Sequence, residues 1–515
     1  MTESLRQATS AGWSCSPPGT GSALGVPLAV HGGPGGTAAR LDDLELAALR
    51  LQRSAQVMAL IAARLARIAM SPASALTAVR SPATWWAAQQ RLATALGGQS
   101  GAVVVAARYA ALAGGALAAV ALYRAAELAS DAVVRAADVS AGEAVGRLLA
   151  APGMVGTMAA LPMVLPWLQP VLLPELRSGA ATSPGDGGPV PSPGPLLRGL
   201  AAHPGVVEHV VDGLPGMFRG LTGSPAGLLL AAGVTGRPVA PLDVPGAARW
   251  VGSVGRRLPY LRESTSVSIR PGPASTVPPP RGLAELVGGL ADLDPVCGAV
   301  PGSVALISVT GAPGRRAWIV QIPGTQSWSP RAGSDPLDLT GNIHGMAGDP
   351  TAAAEVVTEA LASAGARPAD PVLLVGYSQG GIVAAHLAAD PSFRRRFAVS
   401  HVVTVGAPVA VAAIPGSVPT LSLEHDHDLV PRLDGAVNPD HPSWITVTAP
   451  AEPAGAPPDA VLSHDLGSYR RTAVAVDASN DPGLLLWRSG LAPFLAGDGT
   501  TAARLVVVGE RRIAG

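Results

Sequence analysis

From Ser264 onward, short runs rich in Leu, Val and β-branched residues alternate with stretches of helical periodicity. This alternation restricts the fold more than any other feature of the chain. The runs lie at 267–269, 304–309, 318–322, 372–375, 402–405, 420–423, 444–447 and 505–508, with helical candidates at 351–364 and 379–390 among them. Strand and helix in alternation imply a mostly parallel sheet covered on both faces, which is an α/β domain.

Upstream the texture changes. Residues 1–38 read as a Gly/Ser/Pro-rich tail. From Arg40, the positions Leu41, Leu44, Ala48, Leu51, Ala55, Met58, Ile61, Leu65 and Ile68 fall near helical spacing. Asp42 and Asp43 sit in the first turn, where they favour the helix dipole. This helix is expected to end near Ser71-Pro72, followed by a turn region with Trp85 and Trp86 and an Ala-rich helical run from about 101 to 137. Residues 39–177 are therefore expected to be an all-α hairpin or bundle. Residues 178–262 form a Pro/Gly-rich linker, clearest at 178–196, and an irregular segment of short helical pieces; a second Pro-rich break spans 271–280. The α/β domain takes 263–515. Gly and Pro fill 62 + 50 = 112 of 515 positions. Against 48% hydrophobic content, that excess marks boundaries between ordered parts and not global disorder.

Several function classes drop out. Basic and acidic residues balance at 36 each, giving net charge +0, so there is no electrostatic case for nucleic acid or an anionic membrane surface. Every cation is arginine, which reads as coding bias and not as anion recognition. Cys15 and Cys297 stand outside any C-x-x-C pattern, which excludes a disulfide framework and a zinc ribbon and leaves a single bridge open. The first 30 residues lack the basic and apolar regions of a secretory signal peptide. Residues 148–174 carry no charge and are long enough to span a bilayer, but Pro152, Pro162, Pro166, Pro170 and Pro174 would break a spanning helix repeatedly. A packed apolar segment is expected there, and membrane association is not predicted. The expected location is cytoplasmic, or exported without a classical signal peptide.

The chemistry-bearing run is Gly376-Tyr377-Ser378-Gln379-Gly380, a G-x-S-x-G pattern. In so glycine-rich a chain the bare pattern arises by chance about 0.4 times. Its context carries the weight: PVLLV before it is a buried-strand run, and GGIVAAHLAAD after it starts an amphipathic helix. Strand, sharp turn and helix lift a serine above the sheet edge. A nucleophilic serine needs a base, and the base an orienting acid. His464, in a loop ahead of a helix after the last central strand, is the candidate base, with His441 the alternative. The acid falls in the run Glu424-His425-Asp426-His427-Asp428-Leu429-Val430-Pro431, where Asp428 and Asp426 compete. The alternating His and Asp also resemble a metal strand with His425 and His427 on one face, but ligands so spaced cannot converge on one ion without a further residue. No metal or organic cofactor is expected. Oxyanion donors are expected at the N–H of Gln379 and at Thr325, in the Pro323-Gly324-Thr325 turn after the 318–322 strand. His344, in the following loop, is a candidate lining residue.

On these residues, 300–475 resembles a serine esterase or lipase of the α/β-hydrolase fold. The run from Asp428 to Leu433 is similar to the acid loop of class 3 lipases, and Pro323-Gly324-Thr325 resembles their R-G-[ST] oxyanion turn with Pro323 in place of Arg. GYSQGG also occurs in cutinases, whose paired cysteines around the acid are absent here. The resemblance implies Ser378, Asp428 and His464 as triad and Gln379 and Thr325 as oxyanion donors, acting on a small-molecule ester or lipid through an acyl-enzyme; it implies no particular substrate. The N-terminal region resembles the WXG-type helical hairpins of type VII secretion, since Tyr123 and Glu127 match their Y-x-x-x-[DE] export signal, though Ala87-Ala88 follows Trp85-Trp86 where W-x-G would stand. That resemblance implies secretion machinery as a partner. Two alternatives stand: an exported structural or interaction protein whose hydrolase-like domain is catalytically silent, and a membrane-associated N-terminal anchor to which the hydrolase is secondary.

Overall fold

The computed structural model describes residues 26–149, 204–223, 243–257, 260–311, 314–452 and 456–513. The tail through residue 25, the 178–196 linker and all but the start of the uncharged 148–174 stretch lie outside them. Cys297 is disulfide-bonded, and Cys15 also lies outside the described residues. The chain forms two compact units, one of residues 36–134 and one of the residues through Gly35 and from Arg135 onward.

The smaller unit consists of α1 (Thr37–Ala69), α2 (Pro72–Arg80), α3 (Pro82–Gly97) and the first part of α4 (Ala102–Leu149). Ala, Leu, Arg and Gln dominate these segments, and all are strong helix formers. Trp85 and Trp86, expected in a turn, lie inside α3. The physical reason is that Pro82 occupies the first helical turn, where a missing N–H costs nothing, so it starts a helix and does not interrupt one. Trp85 Nε1 and Gln89 Nε2 each donate to Ser74 Oγ at 3.0 Å, which fastens α3 to the start of α2. Small residues supply the buried contacts, among them Ala48, Ala55, Ala62 and Ala113. Arg124 of α4 pairs with Asp42 and Glu45 of α1 at 2.6 and 2.9 Å. Leu60, Leu76, Val79, Leu112, Leu122 and Leu128 stay exposed. The stretch Pro82–Arg147 contains an 18-residue window of mean hydropathy 1.8, long and apolar enough to cross a bilayer.

The larger unit is mixed α/β. Its strands are β1 (Ala29–Gly32), β2 (Val267–Pro271), β3 (Ser275–Val277), β4 (Ser303–Gly311), β5 (Arg315–Ile322), β6 (Pro371–Tyr377), β7 (Ala398–Val405), β8 (Thr420–His425), β9 (Trp444–Ala449) and β10 (Thr501–Arg511). They form one sheet in the order β1-β9-β8-β7-β6-β5-β4-β10-β2, with β3 also paired to β10. The centre, β5 through β9, is parallel. Both flanks are antiparallel, so the sheet is mixed, with the expected parallel strands at its centre. The link between β4 and β5 is far shorter than the dozen or so residues a parallel crossover needs, so that pair must be a hairpin. Residues 29–32, read from the sequence as tail, form the edge strand β1 against β9.

Each central strand is apolar on both sides. On β6, Leu373, Val375 and Tyr377 face one layer with α7 (Leu283–Gly288), α13 (Leu466–Ala478) and α14 (Pro482–Ser489). Val372 and Leu374 face the other, with α9 (Ala352–Ser363), α10 (Gln379–Ala389) and, through Phe393, α11 (Pro391–Arg396). The two-residue period of a strand makes this division, and burial on both faces explains why the runs are uniformly apolar. Two helices of the segment read as irregular, α5 (Pro204–Thr222) and α6 (Val244–Arg257), belong to this unit. The last turns of α4 lie on α5 through Gly142, Gly146, Gly213, Gly216 and Gly220. A Cβ at Gly142, Gly146, Gly216 or Gly220 would collide with a carbonyl across the interface.

Candidate active site

The parallel centre of the sheet brings the ends of β5, β6 and β8 to one edge, so the loops after Ile322, Tyr377 and His425 meet there. Ser378 is the first residue past β6 and caps α10 with φ 52 and ψ −120. Among the described residues only Leu261 shares a positive φ without being glycine. Such a backbone costs about 1–3 kcal/mol and persists only where its surroundings hold it. Ser378 N–H donates to Val405 O at 2.8 Å. A Cβ at Gly376 would run into the Gly380 backbone, and one at Gly380 into the carbonyls of Ile322 and Pro323. Both glycines are demanded by this close approach.

His464 follows the short helix α12 (Ala460–Ser463) and precedes α13. Its Nε2 lies 3.1 Å from Ser378 Oγ and its Nδ1 2.8 Å from Asp428 Oδ2. Asp428 is fully buried. Its Oδ1 accepts from Val430 N–H at 2.9 Å, and its Oδ2 also accepts from Tyr469 Oη at 2.6 Å. Because a carboxylate only accepts, the imidazole proton belongs on Nδ1, which leaves Nε2 to accept from the serine hydroxyl. Tyr377 Oη donates to the His464 carbonyl, and its ring lies along the imidazole with centroids 5.0 Å apart. Burial pushes the Tyr377 phenol well above its usual range.

On the opposite side, the loop after β5 rests on the elbow. A Cβ at Gly324 would lie 3.2 Å from that of Ser378. Neither Thr325 N–H nor Gln379 N–H is taken by a protein acceptor among the described residues. Asn342, on α8 (Leu339–Met346), donates from Nδ2 to Thr325 Oγ1 at 2.9 Å. Gln379 Nε2 donates to Asp338 O at 2.9 Å. Asp338 caps α8 and takes a two-pronged ion pair from Arg511, at 2.6 and 2.9 Å. Burial pushes Glu424 and Asp434, which flank the acid loop, up to about 7.

The residues expected from the sequence thus divide. Ser378, Asp428 and His464 form one hydrogen-bonded chain, with Gln379 and Thr325 beside it. Asp426 is exposed, its N–H on Ala449 O, and the carboxylate touching His464 is that of Asp428. His441 is exposed and bonds Ser443. His344, a candidate lining residue, is buried between Asp349 and the Leu261 carbonyl. His425 and His427 diverge, the first to Ser463 O and Thr472, the second to Glu452. Sequence reasoning missed Tyr377, Tyr469 and Asn342. Its one available signal was rarity, since the chain has only five tyrosines and two stand here. Comparison with family models, curated proteins and solved structures finds no match.

Proposed function

We propose that the larger unit is a serine hydrolase of the α/β-hydrolase fold that cleaves carboxylic esters of small molecules or lipids. The observation that carries this reading is the continuous Ser378–His464–Asp428 hydrogen-bond chain, at 3.1 and 2.8 Å, with the serine on a strained elbow. The parallel strands with an elbow after β6 and an acid after β8 support the fold assignment.

In this reading His464 Nε2 takes the Oγ proton as Ser378 attacks the ester carbonyl carbon. The oxyanion lies between the N–H groups of Gln379 and Thr325, which gain strength as its charge develops. The Asn342 amide, donating to Thr325 Oγ1, leaves that hydroxyl's own proton free as a further donor. The imidazolium, stabilised by Asp428, protonates the departing alkoxide, and the acyl group stays on Ser378. Water activated by the same imidazole then releases the acid and restores the serine.

A fluorophosphonate probe on the full chain tests the proposal. Labelling is expected at Ser378 and lost in Ser378→Ala. A folded wild type that takes no label would overturn the reading. A chain-length series of aryl esters, run on both proteins, then reads the acyl preference.

A further inference from the structure

Behind the reacting side chains lies a stacked pair of rings. His425, the last residue of β8, lies face to face with Tyr469 of α13, centroids 3.8 Å apart and planes within 7°. Both side chains are buried. Each makes one bond forward. Tyr469 Oη donates to Asp428 Oδ2 at 2.6 Å, the oxygen that also receives His464 Nδ1. His425 Nδ1 lies 2.6 Å from the carbonyl of Ser463, the residue just before His464. A carbonyl only accepts, so Nδ1 carries the proton and Nε2 accepts from the Thr472 hydroxyl at 2.8 Å. Burial pushes His425 down to about 4 and the Tyr469 phenol well above its usual range, so both rings stay neutral near pH 7.

We propose that the stacked His425–Tyr469 pair is a positioning unit for the acid–base couple: Tyr469 sets the orientation of the Asp428 carboxylate, and His425 holds the turn that carries His464. The proposal rests on the serine-hydrolase reading above. Two consecutive carbonyls of that turn are gripped by buried donors, Ser463 by His425 and His464 by Tyr377. The His425 carbonyl in turn accepts the Asp428 N–H at 3.2 Å. One residue, through its ring on one side and its carbonyl on the other, therefore connects the backbone of the base to that of the acid. Gly406, at φ +55, makes room for the arrangement, since a Cβ there would come within 3.0 Å of Asp428 Oδ2 and nearer still to the Tyr469 ring. Both rings are buried and neither bonds Ser378, so the pair acts through the base and not on the ester. Its loss belongs in kcat.

The test is steady-state hydrolysis of p-nitrophenyl acetate by the full chain, with unfolding followed by circular dichroism. Tyr469→Phe keeps the stack and deletes the bond; kcat is expected to fall about 10- to 100-fold with KM within about twofold. In an Asp428→Asn background the same substitution is expected to change kcat by less than about twofold, because both act through one contact. His425→Phe keeps an aromatic ring and loses both bonds, so it is expected to lower kcat about tenfold, and His425→Asn, which restores a donor toward Ser463, to recover most of it. If Tyr469→Phe does not fold, the two His425 variants decide. Wild-type kcat in Tyr469→Phe or His425→Phe, or a full multiplicative loss in the Asp428→Asn background, overturns the proposal alone. A wild type that takes no fluorophosphonate label removes the serine-hydrolase reading and this one together.

Discussion

A carboxylate orients an imidazole only by touching it, and two aspartates two positions apart end in opposite surroundings here. Asp426 is exposed on a turn, whereas Asp428 is fully buried with Val430 N–H, Tyr469 Oη and His464 around it. On the proposed serine-hydrolase reading, Asp428→Asn is expected to lower kcat by about 10⁴, the loss found when a triad imidazole is left in the wrong tautomer. Asp426→Asn is expected to stay within about twofold of wild type. Ester hydrolysis by the two purified variants compares them, and equal losses would contradict the geometry. A second residue-scale expectation concerns stability. His401 of β7 is buried edge-on to Trp487 and Phe494, and burial pushes it down to about 4. In the unfolded chain an imidazole titrates near about 6.5, so between these values the unfolded state binds the extra proton. The stability is thus fully present above about pH 6.5 and declines toward about pH 4, by up to about 3 kcal/mol. His401→Phe removes that component. Its drop in melting temperature from about pH 7.5 to about pH 5 is expected to be smaller than the wild type's.

At the scale of elements, the elbow is the most constrained piece of the chain. PVLLV must be a strand because it is apolar on both faces, and Gln379–Ala389 a helix because Ala, Leu and Ile continue it with no breaker after Gly381. The join between them has room for no side chain at two of its positions. Gly380→Ala would drive a Cβ into the Ile322 and Pro323 carbonyls, which are backbone and cannot swing aside. Destabilisation of at least about 2 kcal/mol is expected by urea titration, together with loss of the proposed esterase activity. An alanine variant as stable as wild type would mean that the loop after β5 sits farther from the elbow. The segment at 204–257 shows the opposite case. Its helices α5 and α6 were obscured in the sequence by Gly and Pro, but the glycines of α5 are where α4 comes closest. Composition that reads as irregular can therefore be helix packed backbone to backbone.

At the scale of the whole molecule, β10, the last strand among the described residues, completes the sheet between β4 and β2. Its final residue, Arg511, is buried between Glu263, which precedes β2, and Asp338, which caps α8. Through Asp338 the end of β10 is joined to Gln379 at the elbow. Arg511→Met would leave two buried carboxylates without a countercharge. A loss of about 3–5 kcal/mol is expected, measured by denaturant unfolding. A loss below about 1 kcal/mol would show that those acids can be neutralised where they stand.

By itself the sequence determined the local pieces: where apolar runs make strands, where alanine and leucine make helices, and where a serine must sit on a glycine-flanked turn. These follow from interactions among residues close along the chain. It also set the chain order of Ser378, Asp428 and His464, and it narrowed the acid to two neighbours. The choice between those neighbours, the antiparallel pairing of β10 with β2 and β4, the strand at 29–32, and the roles of Tyr377, Tyr469 and Asn342 were decided only by tertiary structure. Each depends on contacts between residues tens to hundreds of positions apart, and the energy of such contacts leaves no periodic trace in the chain. His425 is the plainest case. In sequence it belonged to a run resembling a metal strand, and packing against Tyr469 and Ser463 made it a neutral, buried brace.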